Sequence, residues 1–264
     1  FRPLNLCNTD NKLLSLALND RLSVLCPTTV AAQQRSFVAG RHIEDNLFSL
    51  EAAAVSMSAT NLKRSATLLF DFRTAFPSLA HDWIFMVLST MQVPVDFTQA
   101  IRQLYASCMA MLVFNGAELS SFIIGSGIKQ GCPLSGTLFA LALDPFIRML
   151  CLTIPTKLGM ATAFADDIAI VAMHLFQTLR DLAPVFATFR AASCLAVNPK
   201  KTVVIPLWTE GCFETRRWLS VCLPAWAAFK VRLCGRFLGY LIGPAATDTR
   251  WDLTLDKYWQ RGIM

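Results

Sequence analysis

Ala163-Phe164-Ala165-Asp166-Asp167-Ile168-Ala169-Ile170-Val171 sets two adjacent carboxylates between apolar runs, with no basic residue in the stretch to neutralise them. Asp tolerates the backbone angles of tight turns, whereas Ile and Val favour strands, so the segment reads as strand, turn, strand with the acids at the tip. An Asp-Asp pair in a hairpin also arises for backbone reasons alone, so the reading needs support from elsewhere in the chain.

Upstream, Ala66-Thr67-Leu68-Leu69-Phe70-Asp71-Phe72 has the pattern of a buried strand with one acid at its end. Side by side, the two strands bring Asp71 and Asp166 to one point, with Asp167 as a third acid. Like charges tolerate that closeness only when something strongly positive lies between them. A hard divalent cation such as Mg2+ takes oxygen ligands and is usually held by one or two carboxylates plus the phosphates of a substrate. Two such ions, with Mn2+ as a substitute for Mg2+, clamp the attacking and leaving oxygens of an in-line phosphoryl displacement.

Between the two acidic segments lies Gly127-Ile128-Lys129-Gln130-Gly131-Cys132-Pro133-Leu134-Ser135-Gly136-Thr137-Leu138-Phe139, a glycine-punctuated loop entering an apolar helix over Leu138–Leu150. In chain order, Asp71-Phe72-Arg73-Thr74-Ala75-Phe76, Gln130-Gly131-Cys132-Pro133-Leu134-Ser135, Phe164-Ala165-Asp166-Asp167, Asn198-Pro199-Lys200-Lys201-Thr202 and Phe237-Leu238-Gly239 resemble the successive palm motifs of reverse transcriptases. The non-LTR retrotransposon (LINE-type) group is the nearest match. Arg2-Pro3-Leu4-Asn5-Leu6 with Lys12, and Gln34-Arg35-Ser36-Phe37-Val38-Ala39-Gly40-Arg41, are similar to the finger motifs of that group. Each motif alone is weak. Their order and spacing over nearly the whole chain are not.

The resemblance implies an α+β right-hand polymerase fold, with an antiparallel palm sheet, packed helices and a thumb largely absent. Fingers would span 1–65 and return at 92–130, palm would span 66–91 and 131–243, and 244–264 would begin a thumb. Asp71 and Asp166 would be the principal metal ligands, with Asp167 beside them and the Phe72 carbonyl as a backbone ligand. Phe76 matches the bulky residue under the sugar of the incoming nucleotide that excludes a 2′-hydroxyl, although Phe in Ala-Phe-Pro is also an ordinary core residue. Gln130 and Gly131 would border the nucleotide pocket, glycine allowing close backbone approach and glutamine offering an amide donor and acceptor. Lys201 matches a lysine near the leaving pyrophosphate, with a solvated lysine after a turn as its bland alternative. Arg2 and Lys12 resemble finger positions that hold the triphosphate. The implied partners are an RNA template, a DNA primer, deoxynucleoside triphosphates and the other domains of a longer polyprotein; the implied setting is intracellular, and nuclear by resemblance only.

Pro77 stands where the family usually carries an acid, Gly136 where a second proline is frequent, and Ser36 where glycine is usual. None of these removes a metal ligand. They leave local turn geometry open, and with it whether this copy is active. An RNA-templated RNA polymerase, a group II intron maturase and a non-catalytic nucleic-acid-binding relic share enough of the pattern to remain competitors.

Composition agrees with a folded domain: 264 residues, 54% hydrophobic and 16% charged, bury a large core. The mean hydropathy of +0.46 raises the question of a membrane. In the most apolar stretch, Leu134–Ile154, Asp144, Pro145 and Arg148 interrupt what a spanning helix requires, so no membrane partner is expected. No signal-peptide pattern opens the chain, and Phe1 in place of Met suggests a start inside a longer protein. A net charge of +6 favours a polyanionic partner mildly, through small clusters at Lys63-Arg64, Lys200-Lys201 and Arg216-Arg217. The nine cysteines form no Cys-x-x-Cys pair and there are three histidines, which argues against a zinc site of regular spacing and for buried reduced thiols.

Helices are expected over Lys12–Leu25, Ile43–Met57, Leu79–Met91, Asp96–Met109 and Leu175–Leu195, the last kinked or delayed by Pro184. A hairpin is expected around Asn115-Gly116 within Met111–Ile124, with single strands at Val203–Leu207 and Arg236–Ile242. Trp208–Phe229 carries no assignable motif, and Trp251–Arg261 has the pattern of a first thumb helix.

Overall fold

The computed structural model describes residues 8–59, 64–106 and 108–246. The chain enters α1 (Thr9–Ser23), capped by the Asn8 side chain, which accepts the Asn11 N–H at 3.2 Å. Asp10 in its first turn and Arg21 in its last complement the helix dipole. The short α2 (Cys26–Thr29) precedes α3 (Ile43–Ser58), with Glu44 and Asp45 in its first turn. Then come β1 (Ala66–Phe70), α4 (Ala75–Ser78), α5 (His81–Thr90) and α6 (Val95–Tyr105). Strands β2 (Met109–Phe114) and β3 (Ala117–Ile123) turn at Asn115 and Gly116, both at positive φ, as a two-residue hairpin favours. After α7 (Ser135–Thr153) follow the hairpin β4 (Gly159–Phe164) and β5 (Asp167–Ala172), α8 (Leu175–Ser193), β6 (Val203–Pro206), α9 (Gly211–Cys222), β7 (Lys230–Val231), β8 (Gly235–Phe237) and β9 (Tyr240–Ile242).

The central sheet has the order β4-β5-β1-β6-β7. All its pairings are antiparallel except β6 with β7 at the edge. Every residue of β1 is buried, because successive side chains enter different cores. Leu68 and Phe70 join Ile168 and Ile170 in a core completed by Leu138, Phe146, Phe186 and Phe189 of α7 and α8. Leu69 instead joins Ala169, Val171 and Ile205 in a second core closed by Leu50 of α3 and by Phe237 and Ile242 of the β8–β9 hairpin. A sheet covered on both faces explains why its strands read as continuous apolar runs rather than as an alternation.

Among the described residues α7 is the one helix long and apolar enough to cross a membrane, yet 61% of that window is buried inside the fold. Its polar residues have internal work. Asp144 is buried, accepts the Ala31 N–H at 2.6 Å and pairs with Arg148 at 2.7 Å, and Arg148 donates to the Thr29 carbonyl at 2.6 Å. The charges that interrupt the apolar stretch thus fasten the end of α2 to α7.

Several expectations change. The stretch Arg236–Ile242 is a hairpin, not one strand, since Leu238 (φ 51°) and Gly239 (φ 93°) take the positive angles of a tight turn. Helix α8 runs unbroken through Pro184, which lies on an exposed face where water can serve the carbonyl its ring leaves unbonded. The helix expected from Leu79 begins at His81, after the separate turn of α4. Trp208–Phe229 folds as α9 and a 3-10 turn at Pro224–Trp226, with Thr215, Leu219 and Trp226 buried. Of the eight cysteines described, all are free but only Cys26 is buried, its thiol pushed up to about 11 by burial; Cys194 and Cys222 are exposed. The expected thumb helix and Lys63 lie outside the described residues.

Candidate active site

Strand β1 ends at Phe70, one residue earlier than its acid, so Asp71 emerges at the mouth of the sheet. The register pairs Phe70 with Ile168, which places Asp71 level with the start of β5 and beside the turn before it. That turn is Ala165-Asp166, with Ala165 at φ 54°. Asp71 and Asp166 line one open cavity of about 570 Å³. Asp167, the first residue of β5, is exposed and is not among the residues lining that cavity.

The opposite wall is aromatic and loop-built. Thr74, in the left-handed region at φ 42°, turns the chain into α4, and Phe76 stacks on Phe139 of α7 with ring centres 4.4 Å apart and planes within 7°. Phe37 meets Phe76 edge-on at 6.3 Å and lies over Gly136, where an added Cβ would fall within 2.4 Å of the ring. A side chain at this position, where a proline is frequent in the family, would have to displace the Phe37 ring. Gln130 and Gly131 line the same cavity, Gly131 at φ 106°. Their loop is laced to the Phe76 segment: the Ile128 N–H donates to the Phe76 carbonyl at 2.7 Å and the Gly127 N–H to that of Leu79 at 2.8 Å. Gly127 itself sits against the Pro77 backbone, with 2.5 Å between a built Cβ and the Pro77 oxygen. His81 seals this junction by bonding the Gly127 carbonyl through Nε2 at 2.8 Å.

Lys201 closes the acidic side. Its Nζ lies 3.8 Å from Asp71 Oδ2, and its loop is tied to the exit of β1 by the Asn198 N–H, donated to the Asp71 carbonyl at 2.7 Å, and the Arg73 N–H, donated to the Ala196 carbonyl at 2.8 Å. At this exposure the ion pair is worth at most about 1 kcal/mol of stability, so its meaning is placement of charge. The cavity thus brings together Asp71, Phe72, Phe76, Gln130, Gly131, Asp166 and Lys201. Lys12 lies exposed on α1 and does not line it, and Arg2 lies outside the described residues.

The donor set suits a hard cation. Two carboxylates on the wall of one open cavity leave room for water and substrate oxygens to complete an oxygen shell. Among the described residues no group of three or more His, Cys, Asp or Glu forms a complete cage.

Gln34 and Arg41 of the finger motif and Asn46 of α3 do more than their sequence indicates. Gln34, fully buried, bonds both backbone polar groups of Ala165. Arg41 donates to four carbonyls, those of Pro27, Val30, Ala31 and Gln34, and the cost of desolvating it lowers its affinity for its proton. Asn46 donates to Thr162 Oγ1 and to the Ala163 carbonyl. In a linear reading a glutamine beside an arginine looks solvated. Only contacts across more than a hundred residues reveal the clasp on β4.

Comparison with known proteins agrees with this fold. The sequence profile of the family described as reverse transcriptase (RNA-dependent DNA polymerase) matches residues 1–242. The chain is 29% identical over 211 residues to the transposon TX1 uncharacterized 149 kDa protein of Xenopus laevis, covering 76% of this chain and 16% of that protein. It is 28% identical over 211 residues to the Pol polyprotein of the type-2 retrotransposable element R2DM of Drosophila melanogaster, covering 76% and 20%. It therefore spans a fifth or less of the length of these relatives. Among solved structures, telomerase from Candida albicans superposes with a TM-score of 0.61 at 11% identity, over 88% of this chain and 36% of that one. Apo telomerase from Candida tropicalis gives 0.60 at 13%, over 89% and 44%. These likenesses show the fold: α+β, with the antiparallel-dominated sheet of a polymerase.

Proposed function

Because the chain belongs to the reverse transcriptase (RNA-dependent DNA polymerase) family, we propose that it adds deoxynucleotides to a primer 3′-hydroxyl along an RNA template, as one domain of a non-LTR retrotransposon polyprotein. The observation that carries this reading is the shared cavity of Asp71 and Asp166 with Phe76, Gln130, Gly131 and Lys201 on its walls. In this reading residues 1–65 and 92–130 act as fingers, 66–91 and 131–243 as palm, and 244–264 as the start of a thumb.

Asp71 and Asp166 would hold two Mg2+ ions, with Asp167 adding negative charge nearby and the Phe72 carbonyl as a backbone ligand. When bound, the ions supply Lewis-acid stabilisation of the attacking and leaving oxygens. The chain's own residues do the rest. Phe76, held flat by its stack on Phe139, would be the floor under the sugar that excludes a ribose 2′-hydroxyl. Gly131 allows backbone approach to the nucleotide, and the Gln130 amide offers a donor and an acceptor to it. The Lys201 ammonium, already drawn toward Asp71, can turn to the departing pyrophosphate and offset or protonate it. Arg2 and Lys12 would meet the triphosphate from the fingers.

Primer extension on an RNA template by the longer polyprotein and its Asp166→Asn variant tests the proposal. The variant should lose about a thousand-fold in rate, the equivalent of about 4 kcal/mol of transition-state stabilisation, with its melting temperature nearly unchanged. A variant extending as well as the parent ends the reading. An RNA-templated RNA polymerase shares such a palm, and Phe76→Ala separates the two: incorporation of ribonucleotides should rise at least about ten-fold relative to deoxynucleotides if the ring is a sugar gate.

A further inference from the structure

The Ala165-Asp166 turn is held from outside its own hairpin. Gln34 donates from Nε2 to the Ala165 carbonyl at 3.2 Å, while its Oε1 accepts the Ala165 N–H at 3.0 Å and the Ser36 N–H at 3.1 Å. This orientation of the amide is the one that matches donors to acceptors at all three contacts. One side chain, 131 positions away, therefore satisfies both backbone polar groups of the residue immediately before Asp166.

Ala165 needs such help. It sits at φ 54°, a region that a side chain disfavours and glycine enters freely. At the tip of a two-residue turn its N–H and carbonyl lie beyond the regular ladder, so another group must bond them. Gln34 is itself immobilised. The Arg35 N–H donates to the Ala163 carbonyl at 3.0 Å and the Ala163 N–H to that of Gln33 at 2.9 Å, adding a short parallel pairing to the edge of β4. The Gln34 carbonyl accepts from Arg41 at 2.6 Å, and its side chain has no exposed surface.

We infer that Gln34 is a positioning residue for catalysis: its amide fixes the peptide units around Ala165 and thereby the direction in which the Asp166 carboxylate enters the cavity. The inference rests on the assignment of Asp166 as a metal ligand. Gln34 touches no substrate in this arrangement, so its loss should weaken the chemical step and not the grip on nucleotide or duplex.

Primer extension by the longer polyprotein, with kcat, KM for the deoxynucleotide and Kd for the primer-template duplex measured separately, tests it. Gln34→Met keeps the volume and removes every side-chain hydrogen bond. Its kcat should fall about ten- to a hundred-fold, with KM and Kd within about two-fold of the parent, the cost expected of a small misplacement of a catalytic group. Adding Ala165→Gly to that variant should recover part of the loss, because glycine holds the turn angle unaided. A Gln34→Met protein that keeps parental kcat, or that loses duplex affinity in proportion to kcat, overturns the inference. Should that variant fail to fold, Gln34→Glu, which keeps the shape and the acceptor but lacks the donor to the Ala165 carbonyl, is judged by the same split. Asp166→Asn run alongside separates the two failures. An inactive Asp166→Asn with undiminished Gln34 variants removes only the positioning role, whereas an active Asp166→Asn removes its premise.

Discussion

The two hairpins that flank the loop of Gln130 and Gly131, β4–β5 and β2–β3, have the same local design and opposite fates. Both are antiparallel pairs of about six residues with tight turns, and both are rich in large apolar side chains. In β5 everything after Asp167 is buried, whereas every residue of β3 is exposed. The difference lies in what covers them. The first hairpin has β1 on one side, the Gln34 clasp on the other, α7 on one face and α3 on the other. The second is a separate two-stranded sheet whose ladder shifts register between Leu112 and Val113. Hairpin propensity builds either; only surrounding layers turn one into a platform that can aim a carboxylate.

The largest break in this comparison should come from the layer beneath the acids. Phe70 is 3% exposed and packs its ring against Phe186 at 4.5 Å, Trp226 at 6.0 Å and Phe229 at 6.1 Å. Phe70→Ala should cost about 3–5 kcal/mol in urea unfolding, through lost transfer energy and the cavity left behind. A loss below about 1 kcal/mol would mean that the sheet is not the stable centre of the molecule. Next in size is Asp144→Ala, which strips a buried acceptor from the Ala31 N–H and a partner from Arg148. About 2–3 kcal/mol should follow, since orphaned groups cost more than the bond was worth. A neutral result would show that α2 reaches its place without the α7 anchor.

These two sites also mark how far the sequence could be read. The apolar runs around Asp71 and Asp166 named the strands, and their end positions named the acids, because burial on both faces imprints a continuous pattern. Motif order then supplied Phe76, Gln130, Gly131 and Lys201, all found on one cavity. Asp144 and Arg148 showed only as interruptions in an apolar stretch, since a partner more than a hundred residues away leaves no periodicity. Gln34 was legible as a motif letter without chemistry for the same reason. Leu238-Gly239 was hidden differently: β8 and β9 are three residues each, too short for alternation to register, so one strand was expected where the chain reverses. Asp166 and Asp167 look equivalent as neighbours in sequence. The structure separates them: Asp166 lies in the turn and lines the cavity, whereas Asp167 opens β5 and is exposed.

The smallest effect should come from the hairpin tip. Phe114, the last residue of β2, is 67% exposed, and Met111 and Val113 on the same strand are more than half exposed. If burial energy follows the area removed from water, about a third of the 1.5–3 kcal/mol of a fully buried Phe is at stake, or about 0.5–1 kcal/mol. Threonine at that position keeps strand propensity, which trims the cost further. Phe114→Thr should therefore shift unfolding by less than about 1 kcal/mol. Extension on an RNA template should stay at the parental rate, since Phe114 is not among the residues lining the catalytic cavity. A penalty approaching that of Phe70→Ala would say that in solution this hairpin is covered as thoroughly as the acidic one, and the contrast between platform and outlier would fall.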